Sequence, residues 1–169
     1  MIASVSTHGV AVALAVDPDG PLIGVLILGE PGAGKSSLAL ALIDTCPYRR
    51  TALIADDIVV LFTDASETAA RPPAGIRGLI EVRGFGPAPV RSVGGAGIRF
   101  GVDLSALVER VSDPREFSPF GDRAASISVH PFRWSGAEFS APGRIRMMAR
   151  AILGGQNPQL AQDGSPAER

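Results

Sequence analysis

The chain holds one cysteine, two histidines, one tryptophan and one tyrosine in 169 residues. Cys46 has no second cysteine to pair with, so an intrachain disulfide and a cysteine-based zinc site are excluded. It reads as a bystander at a helix end. His8 and His130 stand 122 positions apart and make no metal pair at helical spacing. Charge of one sign is missing as well. Sixteen Lys and Arg against 17 Asp and Glu give a formal net charge of −1, which excludes a strongly basic nucleic-acid-binding chain. Long hydrophobic runs are absent. Apolar runs such as 22–28 and 52–55 fall far below the ~20 residues of a membrane helix. Residues 1–10 lack the basic opening of a secretory leader. There is no internal repeat. The expectation is a soluble, cytoplasmic protein that engages neither membrane nor nucleic acid.

What is present is an ordinary globular mixture, 46% hydrophobic and 20% charged. The length suits one domain of roughly 100–200 residues. The 14 prolines avoid 32–46 and 48–71, where regular structure is expected, and gather at 72–73, 87–89 and 114–119. Residues 154–169 are polar and aperiodic and read as a disordered tail. The expected organisation is one domain over 1–153 followed by that tail.

Residues 10–16 and 22–28 are apolar runs joined by Asp17-Pro18-Asp19-Gly20, a turn in which proline presets φ and glycine accepts a positive one. They read as a β-hairpin. Residues 37–44 suit a helix, and 52–55 with 58–62 suit buried strands broken by Asp56-Asp57. Further strands are expected at 79–82, 98–104 and 127–129. A short helix is expected at 105–111, and a basic helix at 144–153 ending at Gly154-Gly155. Strand, loop, helix and strand in that order predict an α/β fold with a partly parallel sheet.

Gly29-Glu30-Pro31-Gly32-Ala33-Gly34-Lys35-Ser36 matches G-x-x-x-x-G-K-[ST] in full. Each part has a chemical reason. Glycines let backbone N–H groups turn onto phosphate oxygens where a β-carbon would obstruct. The helix that follows, opening at Ser37, adds its positive dipole end. Lys35 supplies a point charge for the β- and γ-phosphates, and Ser36 a hydroxyl for Mg²⁺. An apolar strand precedes the motif and a helix follows, as phosphate binding requires. The motif specifies nucleotide phosphate, not the reaction.

Asp56 and Asp57 close an apolar run beside the loop's strand. Neighbouring carboxylates on an extended chain diverge, so one can face a metal and the other an acceptor hydroxyl. A polar loop start is the alternative. Leu79, Glu81 and Arg83 share one face of a strand by alternation; a solvated Glu–Arg pair is the plain reading.

Taken together, His8-Gly9, the glycine loop, Ala55-Asp56-Asp57 and Ile80-Glu81-Val82-Arg83-Gly84 resemble, in order and interval, the catalytic domain of the HPr kinase/phosphorylase family. Pro131-Phe132 and Phe139-Ser140-Ala141-Pro142 resemble the short alphaproteobacterial form, which has no N-terminal domain. The resemblance spans about 4–150. It implies a P-loop fold of the HPr kinase and phosphoenolpyruvate carboxykinase-like type, a mixed central sheet with flanking helices. It implies ATP- and Mg²⁺-dependent phosphorylation of a serine on an HPr-like phosphocarrier of the phosphotransferase system, regulating carbohydrate metabolism. By the same resemblance, residues 29–36 bind the nucleotide, Ser36 and Glu81 bind metal, and Asp57 takes the serine proton. Asp56 is assigned to the metal side of the pair. His8 and Lys35 become active-site residues. The family also has a catalytic arginine, for which Arg110, Arg115 and Arg123 compete; Arg110 is taken.

Two departures count against the phosphorylase half of the activity. The family's Pro-Gly-Arg-Asn segment finds only Ala141-Pro142-Gly143-Arg144. Pro87-Ala88-Pro89 stands where the family continues as a strand, and proline removes ladder donors. A small-molecule P-loop kinase and a non-catalytic nucleotide sensor are the alternatives. The long family members are hexamers, so a homo-oligomer stays open.

Overall fold

The computed structural model describes residues 3–63, 67–106, 108–121, 126–136 and 138–155. The strands in chain order are β1 (Ala3–His8), β2 (Val10–Leu14), β3 (Ile23–Leu28), β4 (Ala52–Ala55), β5 (Ile58–Thr63) and β6 (Thr68–Arg71). They continue as β7 (Leu79–Val82), β8 (Gly86–Pro89), β9 (Ala96–Asp103), β10 (Arg115–Phe117) and β11 (Ile127–Pro131). Helix α1 (Lys35–Asp44) follows β3, and α2 (Ala141–Leu153) follows β11.

The main sheet runs β1-β5-β6-β9-β3-β2-β4, and β11 with its partner β10 branches from β9. The ladders β3–β9 and β9–β11 are parallel, and the other ladders are antiparallel. The expected mixed α/β sheet is present. Every residue of β2 and β3 is buried, because both faces of these strands are covered. Val10, Val12, Leu14, Val25 and Ile27 point to one face. There they meet Leu38, Ala39 and Leu42 of α1 and Ile145 and Ala149 of α2. Ala11, Ala13, Leu26 and Leu28 point to the other face, covered by Val59, Leu61 and Ala70 of β5 and β6. Helices therefore clothe one face only, and the sheet folds over to clothe the second.

β9 makes that fold possible. Ala96 and Gly97 pair with β6, while Ile98 and Phe100 to Asp103 pair with β3. At the crossing β3 carries Gly24, where a Cβ would sit 2.5 Å from the Gly97 carbonyl oxygen.

Two local expectations are corrected. Residues 105–106 and 108–111 are bends and irregular chain, not helix. The Ser105 N–H bonds its neighbour's carboxylate, Asp103 Oδ1, at 2.9 Å, a local bond that competes with helix formation. Pro87-Ala88-Pro89 does form a strand, paired with β7. The Val90 N–H donates across to Gly78 O at 2.9 Å. N–H groups two apart point the same way in a strand, so Ala88 faces the partner while both prolines face outward. The prolines remove no ladder donor. The expected tail lies, from residue 156 on, outside the described residues. Gly154 and Gly155 close α2 as expected, with Gly155 at φ 71°. No described helix is long and apolar enough to cross a membrane.

Candidate functional site

β3 delivers the chain to the glycine loop, and α1 leads away from it. Gly32 and Gly34 adopt φ of 82° and 92°, which a side chain would strain. Gly34 is glycine for a second reason: a Cβ there would lie 2.7 Å from Nε1 of Trp134. Gly34 also stands at the N-cap of α1 with no side chain capping the helix, so the first-turn N–H groups stay free to face an anion.

The loop is braced from outside. The Glu30 N–H donates to Ser105 Oγ at 2.6 Å, and the Ala33 N–H to Glu30 O at 3.1 Å. Lys35, the only lysine in the chain, turns its Nζ back to Gly29 O at 2.8 Å and Glu30 O at 3.0 Å. Pro31, Gly32, Gly34, Lys35, Ser36 and Ser37 line a cavity of about 250 Å³. Asp56, Asp57, Glu81 and Arg83 complete its wall.

The acidic pair divides its work. Ser36 Oγ donates to Asp56 Oδ1 at 2.7 Å, and the Glu81 N–H donates to Asp56 Oδ2 at 2.9 Å. Asp57 faces His8, with Oδ1 3.8 Å from Nδ1 and both side chains about four-fifths exposed. The divergence arises differently from strand alternation. Asp57 has left the strand: it is left-handed, at φ 65°, in the corner between β4 and β5. Its carbonyl accepts the Gly9 N–H at 3.0 Å, which brings His8-Gly9 to the pair.

Arg110 is not brought here. The loop after β9 carries it to a second groove, beside α2. Arg115 is spent on Asp103 at 3.0 Å, and Arg123 lies outside the described residues. The arginine that lines the phosphate cavity is Arg83, which the sequence reading left as a solvated partner of Glu81. Its signal was visible in the alternation with Glu81. Trp134 and Ser105 gave no signal, since their contacts to the loop span about a hundred and 75 positions respectively.

Among the described residues no group of three or more His, Cys, Asp or Glu could by itself hold a metal. The donors present, a serine hydroxyl bonded to a carboxylate with a second carboxylate in the same cavity, suit Mg²⁺. That ion takes one or two carboxylates and fills its remaining positions with phosphate oxygens and water.

A strand, a glycine loop, a free helix N-terminus, one lysine, a serine hydroxyl and strand-end carboxylates together form the arrangement of a P-loop. The chain belongs to the HPr Serine kinase C-terminal domain family, whose model matches residues 1–121. It is 36% identical over 121 residues to an HPr kinase/phosphorylase of Lactiplantibacillus plantarum, covering 69% of this chain and 35% of that protein. It is 40% identical over 91 residues to one of Leptothrix cholodnii, covering 53% of this chain and 27% of that protein. The chain thus spans about a third of the length of these relatives. The fold resembles that of the HPr(Ser) kinase/phosphatase from Coxiella burnetii, with a TM-score of 0.71 and 20% identity over 94% of this chain and 96% of that one.

Proposed function

We propose that this chain is an ATP- and Mg²⁺-dependent protein-serine kinase whose acceptor is an HPr-like phosphocarrier. The observation that carries the proposal is the shared cavity: the glycine loop, Ser36–Asp56, Glu81 and the exposed Asp57 open into one space of phosphate size. Family membership and the relatives' names support the choice of acceptor.

In this reading the loop amides and the α1 N-terminus bind the β- and γ-phosphates. Lys35 exchanges its two carbonyl partners for phosphate oxygens. Ser36 and Asp56, with Glu81 beside them, would hold Mg²⁺, which supplies charge neutralisation on the phosphates. Asp57 accepts the proton of the incoming serine, with His8 alongside. The serine oxygen forms its bond to the γ-phosphorus as the bond to the bridging oxygen breaks and ADP leaves. Arg83 faces the charge that spreads over the transferred group, in the place first given to Arg110. Positioning and neutralisation do most of the work. The base contributes about 10²–10⁴-fold. The proposal covers the kinase direction. Pro142, Gly143 and Arg144, the family-like segment near the C-terminus, line the groove beside α2 rather than this cavity.

The test is incubation with ATP, Mg²⁺ and an HPr-like carrier, read by intact mass. One added phosphoryl group on the carrier is expected; none would overturn the proposal. Asp57→Asn should lower the rate by at least about 100-fold while holding ATP affinity within about threefold. Asp56→Asn should instead raise the Mg²⁺ concentration needed for half-maximal rate. Exchanged phenotypes would make Asp56 the base.

A further inference from the structure

β3, β9 and β11 are parallel, so their C-terminal ends share one edge of the sheet. The glycine loop leaves that edge from β3. A second concavity opens beside it, where β11 ends and α2 begins. It encloses about 1090 Å³, over four times the phosphate cavity. A parallel pair needs a crossover, usually a helix. Between β9 and β11 the described crossover residues form no helix, so on the side where α1 and α2 lie His130 is only half-buried and Phe132 is covered by the Arg144 side chain.

The lining has a distinct chemistry. Four of the large apolar side chains exposed in the described residues gather here: Val108, Val111, Phe139 and Met147. Phe139 is 98% exposed and Met147 67%. Five arginines, at 110, 133, 144, 146 and 150, line it with one acid, Glu109, and Arg144 is paired with Glu138. The Arg144 guanidinium lies 4.5 Å from the Phe132 ring centroid. Arg146 is buried in the floor, donating to Leu42 O at 2.7 Å, and its Nε–H finds no acceptor. Aromatic residues, methionine and arginine are enriched in protein interfaces relative to free surface. The net positive charge asks for an acidic partner.

The groove adjoins the phosphate site. Phe132 lines it, and Trp134 backs Gly34 of the glycine loop. Two residues of chain separate Phe132 from Trp134, so their Cα atoms lie at most about 7 Å apart. A stable interface takes ~800 Å² per partner, a disc of roughly 16 Å radius. An acceptor protein with its serine at Asp57 must cover surface on that scale; the Phe132 end of the groove lies toward the glycine loop, and its other end reaches Thr45 at the C-cap of α1.

We propose that the groove is the docking surface of the acceptor protein, which presents an acidic face with apolar anchors to Arg133, Phe139 and Met147. The proposal rests on the kinase reading and adds the chemistry of the acceptor's contact face. Its α2 wall lies beyond the residues that the family model matches.

Met147→Glu, Arg133→Glu and Phe139→Ala all change exposed or rim side chains. Each should weaken direct binding of an HPr-like carrier, by titration calorimetry, about tenfold or more. KM for the carrier should rise in parallel, with kcat within about twofold and nucleotide affinity unchanged, since a uniform-binding contact is lost. Added salt should weaken carrier binding to the wild type and do so less in Arg133→Glu. Unchanged binding in all three variants overturns the docking surface. So does a change in the sedimentation of the enzyme alone with carrier binding intact, which would make the groove a contact between copies. Calorimetry reads binding without turnover. A wild type that binds the carrier and transfers nothing to it would sink the kinase reading and leave this one standing.

Discussion

Lys35 is the one amine-bearing side chain in the molecule, and it is held by two carbonyls of its own loop. A phosphate that draws Nζ away also shields it. An amine acylating reagent should therefore modify a single side chain, read by peptide mass, and Mg²⁺-ATP should suppress that modification. Lys35→Ala should abolish transfer while the unfolding transition persists, because the lost bonds are partly exposed. Labelling indifferent to nucleotide would put the phosphates elsewhere. Asp57 is the strained member of the site: a left-handed conformation costs a non-glycine residue of order 1–3 kcal/mol. The glycine motif, both aspartates and His8 were legible as residue types. The left-handed turn at Asp57 was not, because adjacent polar residues read equally as loop or strand end until the corner is closed by Gly9.

At the scale of elements, α1 is held at both ends. Its N-terminus sits under Trp134, and its Leu42 carbonyl accepts from Arg146 of α2. Gly34→Ala should destabilise by more than about 1 kcal/mol, since it forces alanine into positive φ and drives a Cβ against the indole. Denaturant unfolding measures the loss, and nucleotide binding should fall with it. A variant as stable as the wild type would show that the loop can move away from Trp134. The hairpin β2–β3, α1 and strands β4, β5, β7, β9 and β11 were legible from apolar runs, and α2 as a basic helix closed by Gly154-Gly155. β1, β6, β8 and β10 were not. β1 is exposed and polar, β8 is proline-rich, and β6 and β10 are three or four residues long. Their partners, rather than their own patterns, make them strands. The missing helix at 105–111 lost to the side-chain bonds of Asp103 and Ser105.

For the whole molecule, a buried and a half-buried group tie stability to pH. Burial lowers the pKa of His130, with Glu116 opposing. Burial would raise the Cys46 thiol, but hydrogen bonds from Thr51, with the backbone around 48–50, bring it down to about 6 from 9.0. The folded chain therefore binds fewer protons than the unfolded one in both windows. Stability should rise with pH from 6 toward 9 through Cys46 and fall below about 6.5 through His130. Thermal unfolding across that range should show the slope. Cys46→Ser should flatten its upper part and His130→Gln its lower part. A flat profile in the wild type would remove both assignments.

A contiguous motif reports its own chemistry, because eight neighbouring residues suffice to shape a loop that cups phosphate. Sequence alone therefore determined the glycine loop, the strand and helix around it, and the mixed α/β class. Tertiary structure decided everything that depends on residues far apart. It set which arginine lines the cavity at the glycine loop, since the path of the loop after β9 diverts Arg110 while β7 ends at Val82 and leaves the exposed Arg83 on the cavity wall. It decided that the second sheet face is covered by β5 and β6 instead of helices, because β9 is shared between two ladders. It also placed an arginine-lined apolar groove next to the glycine loop. No local pattern encodes that groove: its walls come from four segments, around Thr45, 108–112, 130–133 and 139–150, that meet only in the folded chain.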